Sequence, residues 1–381
     1  MSSDQDGTSV NLANWRTQPN SQWAFQHLRQ LIPTANIPAG QSRIDPDQPQ
    51  EPIPELFGEH PDIHPEFNTA ETNGLLILKE GKPYRRWIAN HFDPCNPHVL
   101  FSISKSITGI MAGCLLGQGL LDMSKPISHY LPNTRTSAYG DCSLQHLMDM
   151  LVSLRFIEDH SDPHGDFARY RNANGWNPVD QTQGATSMEP FLYTLKKGPR
   201  PHGEVFSYQT PNTELLGLLV ERVAGIPYAR LLSTLVWKPM GAKHDAYVTV
   251  DPAQLARGAA GICAAMDDLG AVGQLLLNGG YANGQSIIPE HWVADTMNQG
   301  DPQAWSNGNF SGLLPGGCYR NQWYQVRDSE QCVFAFGVHG QWLFVNPTRR
   351  TVVVKLSSQQ KALHKPTDLK SLEQLKALSR L

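Results

Sequence analysis

The chain has 381 residues, 40% hydrophobic and 17% charged, which is enough for a sizeable core and excludes a disordered or fibrous protein. A net charge of −4 and a pI near 6.4, with no long Lys/Arg run, exclude a nucleic-acid stripe. No run of about eighteen apolar residues offers a membrane span, so neither nucleic acid nor membrane is an expected partner.

The N-terminal stretch MSSDQDGTSVNLANWRTQPN is polar, with no basic segment leading into an apolar one. No export signal is expected there, and the cytoplasm is the default location. Residues 1–70 hold eight prolines between Pro33 and Pro65. Such a segment cannot form long helices, so it reads as an extended arm over a globular body, interrupted by one helix around Trp23–Leu31. From Gly74, GLLILKEGKPYRRW reads as strand, glycine-centred turn and strand.

Ser102–Leu121 reads as a helix, apolar nearly all round and therefore buried. Gly109 and Gly113 share one face of it, where another backbone can approach. Residues 122–300 are mostly helical stretches and loops; the clearest helix covers 212–225 and stops at Gly225. CVFAFGVHGQWLFV and RTVVVKLSS, on either side of NPTRR, read as an antiparallel pair, and DLKSLEQLKALSRL as an amphipathic helix capping a sheet.

Strands at both ends of a helical middle imply an α+β fold: an antiparallel sheet flanked by helices, with an inserted, mainly helical subdomain and the site in the crevice between them. In domain terms, 1–70 is the arm and 71–381 the catalytic domain. Its α/β part is about 71–100 and 300–381, its helical part about 101–299. The six cysteines (Cys95, Cys114, Cys142, Cys263, Cys318, Cys332) are scattered and are expected to be reduced core residues. His91, Cys95 and His98 lie in the loop-like HFDPCNPH with no fourth ligand in view, so no metal site is expected.

Phe101-Ser102-Ile103-Ser104-Lys105 carries the pattern S-x-x-K, which is short enough to recur by chance and does so at Ser358–Lys361. Context separates the two, because Ser102 opens the buried helix whereas Ser358 follows a terminal strand. At this spacing Ser102 and Lys105 share a helix face. Free N–H groups and the positive dipole end at a helix start favour an alkoxide and then an oxyanion. Burial favours neutral lysine, which can accept the serine proton.

FSISKSITGIMAGCLLGQGLLDMSKPISHYLP resembles the nucleophile segment of serine β-lactamases, penicillin-binding proteins and their esterase relatives. In the same order, HGEVFSYQTPNTELLGLLVERVAGIPY resembles the family's second motif, MDDLGAVGQLLLNGG a later helix and QWLFVNPTRRTVVVKLSS the closing hairpin. Together these cover roughly residues 74–357. Within the family, NSQWAFQHLRQLIPT, Asn174-Gly175-Trp176 and Gly337-Val338-His339-Gly340-Gln341 resemble the 6-aminohexanoate-dimer hydrolase branch, enzymes of nylon oligomers with carboxylesterase activity.

The resemblance implies a β-lactamase-like fold and a catalytic set of Ser102, Lys105 and Tyr208, the tyrosine held by Lys105 and relaying a proton to the leaving group. It implies oxyanion donors in the N–H groups of Ser102 and Val338, and no cofactor. Two departures stand out. Thr210 replaces the asparagine that often follows the tyrosine by two residues, and Phe336-Gly337-Val338 replaces Lys-Thr-Gly, as in esterase relatives.

His339, Trp176, His160 and Tyr324 are the expected substrate-binding residues, with Trp323 a further pocket candidate. His339 could also be a general base or structural, although no Gly-x-Ser-x-Gly elbow supports a Ser-His-Asp triad. The expected function is a serine hydrolase cleaving small carboxylic esters or amides through an acyl-enzyme. The alternatives are a β-lactamase, a D-amino-acid peptidase, or a non-catalytic scaffold of the same fold. In EDHSDPHGDFARYR the acids Asp159, Asp162 and Asp166 come first, while Arg169 and Arg171 lie nearer Trp176. That balance disfavours an ammonium-bearing substrate and leaves room for a neutral or anionic ester. A homodimer is compatible with the sequence, which does not specify the oligomeric state.

Overall fold

The computed structural model describes residues 9–40, 56, 71–158, 162, 164–180, 182 and 186–381. Its strands, in chain order, are β1 Thr34–Ile37, β2 Thr72–Lys79, β3 Lys82–Ile88, β4 His98–Val99, β5 Ala246–Thr249, β6 Ile262–Ala264, β7 Tyr281–Ala282, β8 Gln285–Ser286, β9 Cys318–Arg320, β10 Trp323–Gln325, β11 Val333–Gly337, β12 Gln341–Asn346 and β13 Thr351–Ser357. Seven of them form one antiparallel sheet in the order β3-β2-β13-β12-β11-β10-β9. A smaller sheet runs β1-β5-β6-β4, and β7-β8 is a separate ribbon.

The large sheet is apolar on both faces, and its side-chain alternation divides the core into two layers. On one face lie Leu76, Leu78, Leu343, Val345, Val352 and Val354, beneath the helices Ile103–Gly117 and Met266–Leu277. On the other lie Leu75, Ile77, Phe344 and Val353, covered by Leu372, Leu375 and Leu378 of the C-terminal helix Lys365–Leu378. Gly270 and Gly273 let the 266–277 helix settle closely, since a Cβ there would stand 2.9 Å from Leu78 Cδ1 and 2.6 Å from Val352 Cγ1. Antiparallel sheets flanked by helices match the expected α+β class.

Several elements differ in detail from the sequence expectation. The run CVFAFGVHGQWLFV is itself a hairpin, β11 and β12, folded at Val338-His339-Gly340. His339 (φ +62) and Gly340 (φ +84) both take left-handed backbone, which an apolar run does not advertise. Near the N-terminus the expected Trp23–Leu31 helix is shorter and broken: an α-turn at Asn20–Ala24, then a single 3₁₀ turn at Leu28–Gln30. The arm is also less detached than its composition implies. β1 pairs with β5, Thr34 opposite Thr249, and Trp15, Phe25 and Leu28 are fully buried. Most of the proline-rich stretch, 41–55 and 57–70, lies outside the described residues.

The Ile103–Gly117 helix is buried along nearly its whole length, as its composition requires, and ends at Gly117, before the expected Leu121. A Cβ on Gly109 would lie 2.6 Å from the Asn321 carbonyl oxygen, and one on Gly113 2.8 Å from the Trp292 ring. The helix Thr210–Ala224 ends at Gly225 in left-handed backbone (φ +65). Cys114, Cys142, Cys263, Cys318 and Cys332 are buried free thiols, and Cys95 is exposed. Among the described residues no helix is long and apolar enough to cross a membrane.

The Gly109 contact is with backbone, which cannot rotate aside. Gly109→Ala should therefore destabilise the fold by about 1–3 kcal/mol, as overpacking does. A chemical-denaturation midpoint equal to wild type would show that this close approach is not a constraint.

Candidate active site

Ser102 sits where β4 gives way to the 103–117 helix, at the helix N-cap position. The residue before it, Phe101, has φ +45, a strained backbone for a side chain of this size. Its ring is locked by stacking on Trp15 (centroids 6.2 Å, planes 3° apart) and by an edge contact with Phe25 at 5.1 Å. The turn thus fixes Ser102 at the mouth of a cavity of about 620 Å³, within the usual size range for small-molecule sites.

One helical turn on, Lys105 is 1% exposed. Its Nζ lies 3.0 Å from Ser102 Oγ and 3.0 Å from the Ala259 carbonyl oxygen. Burial lowers its pKa to about 8, against the opposing pull of Glu158 and Glu214, while the Arg257 charge adds to the lowering. A substantial neutral fraction therefore exists just above neutral pH, when Nζ can accept the serine proton rather than donate to it.

The neighbouring serines are occupied elsewhere. Ser104 Oγ accepts the Ile262 N–H at 3.1 Å, and Ser106 Oγ donates to the Gln322 carbonyl at 2.6 Å. Ser358, the other sequence match, donates to Asn73 Oδ1 at 3.1 Å and does not line the cavity.

Tyr208 lies just before the 210–224 helix, its backbone N–H donating to Asn309 Oδ1 at 3.0 Å. Its ring packs among Phe310 at 4.9 Å, Tyr324 at 6.3 Å and Tyr319 at 6.5 Å. The expected grip of Lys105 on the phenol oxygen is absent among the described hydrogen bonds; instead Lys105 Nζ stands over the ring, 5.0 Å from its centroid. Burial, only partly offset by the Ser102 hydroxyl, holds the phenol well above its ordinary pKa. A neutral phenol can both accept and donate a proton.

Gly337 lies directly against the nucleophile turn. A Cβ there would stand 2.5 Å from the Leu100 carbonyl oxygen and 3.2 Å from the Ser102 nitrogen. Only glycine fits, and it lets the end of β11 lie against the Ser102 turn. The N–H groups of Ser102 and Val338 donate to no acceptor among the described residues.

The cavity wall includes Trp176, Tyr324 and His339 of the expected substrate-binding set. Trp323 is not there: it is fully buried in the core. His160 and Asp159 lie outside the described residues. Trp176 is fixed by its indole N–H on Thr249 Oγ1 at 3.0 Å. His339 Nδ1 meets the Gln359 carbonyl at 2.7 Å, and the ring packs on Phe25 and Phe101 at 5.3 and 5.2 Å. Those contacts fix the ring in the cavity wall.

His91 and His98 do not converge with Cys95 on a metal position; each ring instead meets the Asn73 side chain at 3.1 Å. Among the lining residues that the sequence did not single out are Glu158 and Arg16. Glu158 accepts the Thr210 backbone N–H, at the position where relatives often carry asparagine. Its one sequence cue was its place at the head of the acidic loop already noted. For Arg16 the cue was Trp15, a large aromatic in a polar arm that needs a burial site.

A family model described as Beta-lactamase matches residues 73–377. The 6-aminohexanoate-dimer hydrolase of Paenarthrobacter ureafaciens is 33% identical over 350 residues, covering 91% of this chain and 88% of that protein. Among solved structures, a Bacillus anthracis protein assigned as a 6-aminohexanoate-dimer hydrolase aligns with TM-score 0.82 and 23% identity over 99% of this chain and 98% of its own. A family VIII carboxylesterase aligns with TM-score 0.60 and 14% identity, over 86% of this chain and 99% of its own. At these identities the two structural likenesses speak to fold.

If neutral Lys105 is the working base, kcat/KM for an ester should rise as pH passes through about 8 and the ammonium loses its proton. Glu158→Gln removes a negative charge that stabilises the ammonium, so Lys105 deprotonates more readily and the rising limb should move to lower pH. A pH–rate profile that stays put, or moves upward, would detach Glu158 from Lys105.

Proposed function

The chain belongs to the beta-lactamase family, and from that premise we propose that it is a hydrolase of small carboxylic esters working through an acyl-enzyme on Ser102. The observation that carries this reading is the 3.0 Å contact between Ser102 Oγ and the nitrogen of a buried lysine whose pKa is lowered to about 8. In the proposed cycle neutral Lys105 takes the Ser102 proton as Oγ attacks the substrate carbonyl. The oxyanion forms against the N–H groups of Ser102 and Val338, each such donor typically contributing about 3–4 kcal/mol to the transition state. The C–O bond to the alcohol then breaks, and a proton passing through Tyr208 leaves with that oxygen. Water enters, gives its proton to the same base and frees the acid.

Two features favour esters over amides and β-lactams. An amine leaves well only when protonated as it departs, which needs firm placement of the nitrogen; the family's asparagine is here Thr210, whose N–H is held by Glu158. Where the family pattern has lysine beside the oxyanion strand, this chain has Phe336, which lines the cavity and offers no cation to a penicillin carboxylate.

A fluorophosphonate should give a single adduct on the peptide holding Ser102 and none in Ser102→Ala. An adduct that persists in that variant would move the nucleophile elsewhere. Lys105→Ala and Tyr208→Phe should each remove most turnover. Because both act on one proton path, the double variant should lose far less than the product of the single losses; a multiplicative loss would separate them. Across p-nitrophenyl acetate and butyrate, the 6-aminohexanoate dimer and nitrocefin, the esters should have the highest kcat/KM. A higher value for the dimer or nitrocefin would overturn the ester preference.

A further inference from the structure

The cavity is electrically uneven. Near the serine, Lys105 and Glu158 oppose one another. Arg16 and Arg171 line the same space, together with Trp176, Phe101 and Phe167. Among the described residues Glu158 is the one carboxylate in the lining, against the cations Arg16, Lys105, Arg171 and Arg257.

Arg16 is delivered to the site by packing. Its neighbour Trp15 is fully buried, stacks on Phe101 immediately before the nucleophile, and donates its indole N–H to the Trp176 carbonyl at 3.2 Å. One aromatic cluster therefore sets the position of Arg16 relative to Ser102. The Arg16 guanidinium donates to the Asn177 side-chain oxygen and lies 4.9 Å over the Trp15 ring. It makes no ion pair among the described residues. Burial and the fields of Arg171 and Arg257 lower its pKa to about 10, which leaves it charged at neutral pH.

Among the described residues, three nearby acids are engaged with other groups. Glu214 holds Arg257 Nε at 2.8 Å and the Tyr170 hydroxyl at 2.7 Å. Asp251 accepts the backbone N–H groups of Met188, Ala253 and Leu255. Asp166 holds Arg169.

We propose that Arg16, with Arg171 beside it, is the anchor for a substrate carboxylate, so that the preferred esters carry a negative charge remote from the scissile carbonyl. This deepens the acyl-enzyme reading above and rests on it. A guanidinium presents paired N–H donors that match a carboxylate's two oxygens. The cavity shared by these arginines and the serine is also lined by Phe101, Phe167 and Trp176, which suits an apolar spacer. The substrate class is an ester joined through methylenes or a ring to a free carboxylate.

The test pairs each anionic ester with its methyl-capped neutral twin: mono-4-nitrophenyl adipate for a charge on the acyl side, and 4-acetoxybenzoate for a charge on the leaving group. In wild type the anionic member of one pair should have the higher kcat/KM, and that pair identifies the side. Arg16→Gln should lower the anionic-to-neutral ratio by about tenfold or more, mainly through KM, the scale of one charged hydrogen-bonding partner. Arg16→Lys should keep part of the preference, and Arg171→Gln should lower it independently of any folding defect at Trp15.

Wild-type preference for the neutral twin in both pairs, or a ratio unchanged in both Arg16→Gln and Arg171→Gln, would overturn the anchor. Fluorophosphonate labelling of Ser102 keeps the two readings apart. A protein that labels yet ignores substrate charge loses only the anchor, whereas one that neither labels nor cleaves any of the four esters loses both.

Discussion

A lysine buried at the start of an interior helix is the constraint around which the rest of the site is arranged. Taking an ammonium out of water is costly unless hydrogen bonds and opposite charges replace the lost solvation. Lys105 finds the Ser102 hydroxyl, the Ala259 carbonyl, the face of Tyr208 and the fields of Glu158 and Glu214. The compensation is incomplete, and that is chemically useful: the residual penalty brings the amine toward its neutral, proton-accepting form.

Each of those partners has to be held. The Ala259 carbonyl belongs to a loop pinned by Arg257 on Glu214, with the Tyr170 hydroxyl closing the network at 2.6 Å. Glu214 comes from the helix that Tyr208 precedes, so one element carries both the candidate proton relay and the counter-charge that orders the lysine's acceptor. Gly258 packs so close to Gly217 and Thr108 that a Cβ would meet both at 3.3 Å. Close packing thus sets the distance between the helix that bears Lys105 and the helix that Tyr208 precedes.

A second requirement is the strained turn at Phe101. Its left-handed backbone is unfavourable alone and persists because Trp15, Phe25, Trp176 and His339 surround the ring. Trp15 and Phe25 come from the N-terminal segment, so that segment supports the Ser102 turn. The same cluster seats Arg16 on the cavity wall, so one packing unit positions both the proposed nucleophile and the proposed anchor.

Much of this was legible from residues alone. The buried 103–117 helix, the S-x-x-K spacing, the glycine stop at Gly225, the β2–β3 hairpin and the C-terminal helix all express local rules of periodicity, spacing and backbone preference, which neighbours in sequence suffice to state. The tertiary structure decided what depends on residues far apart in the chain. It left Ser102 at the cavity beside Lys105 and tied Ser358 to Asn73. It put Lys105 over the Tyr208 ring rather than on its oxygen, folded an apolar run into a hairpin at His339-Gly340, and joined β1 to β5 across some two hundred residues. It also brought Arg16 and Glu158 to the cavity. Their local cues, an aromatic in a polar arm and the head of an acidic loop, name no destination, because what places them is the burial of Trp15 and the hydrogen bond to Thr210, and both exist only once distant segments have packed.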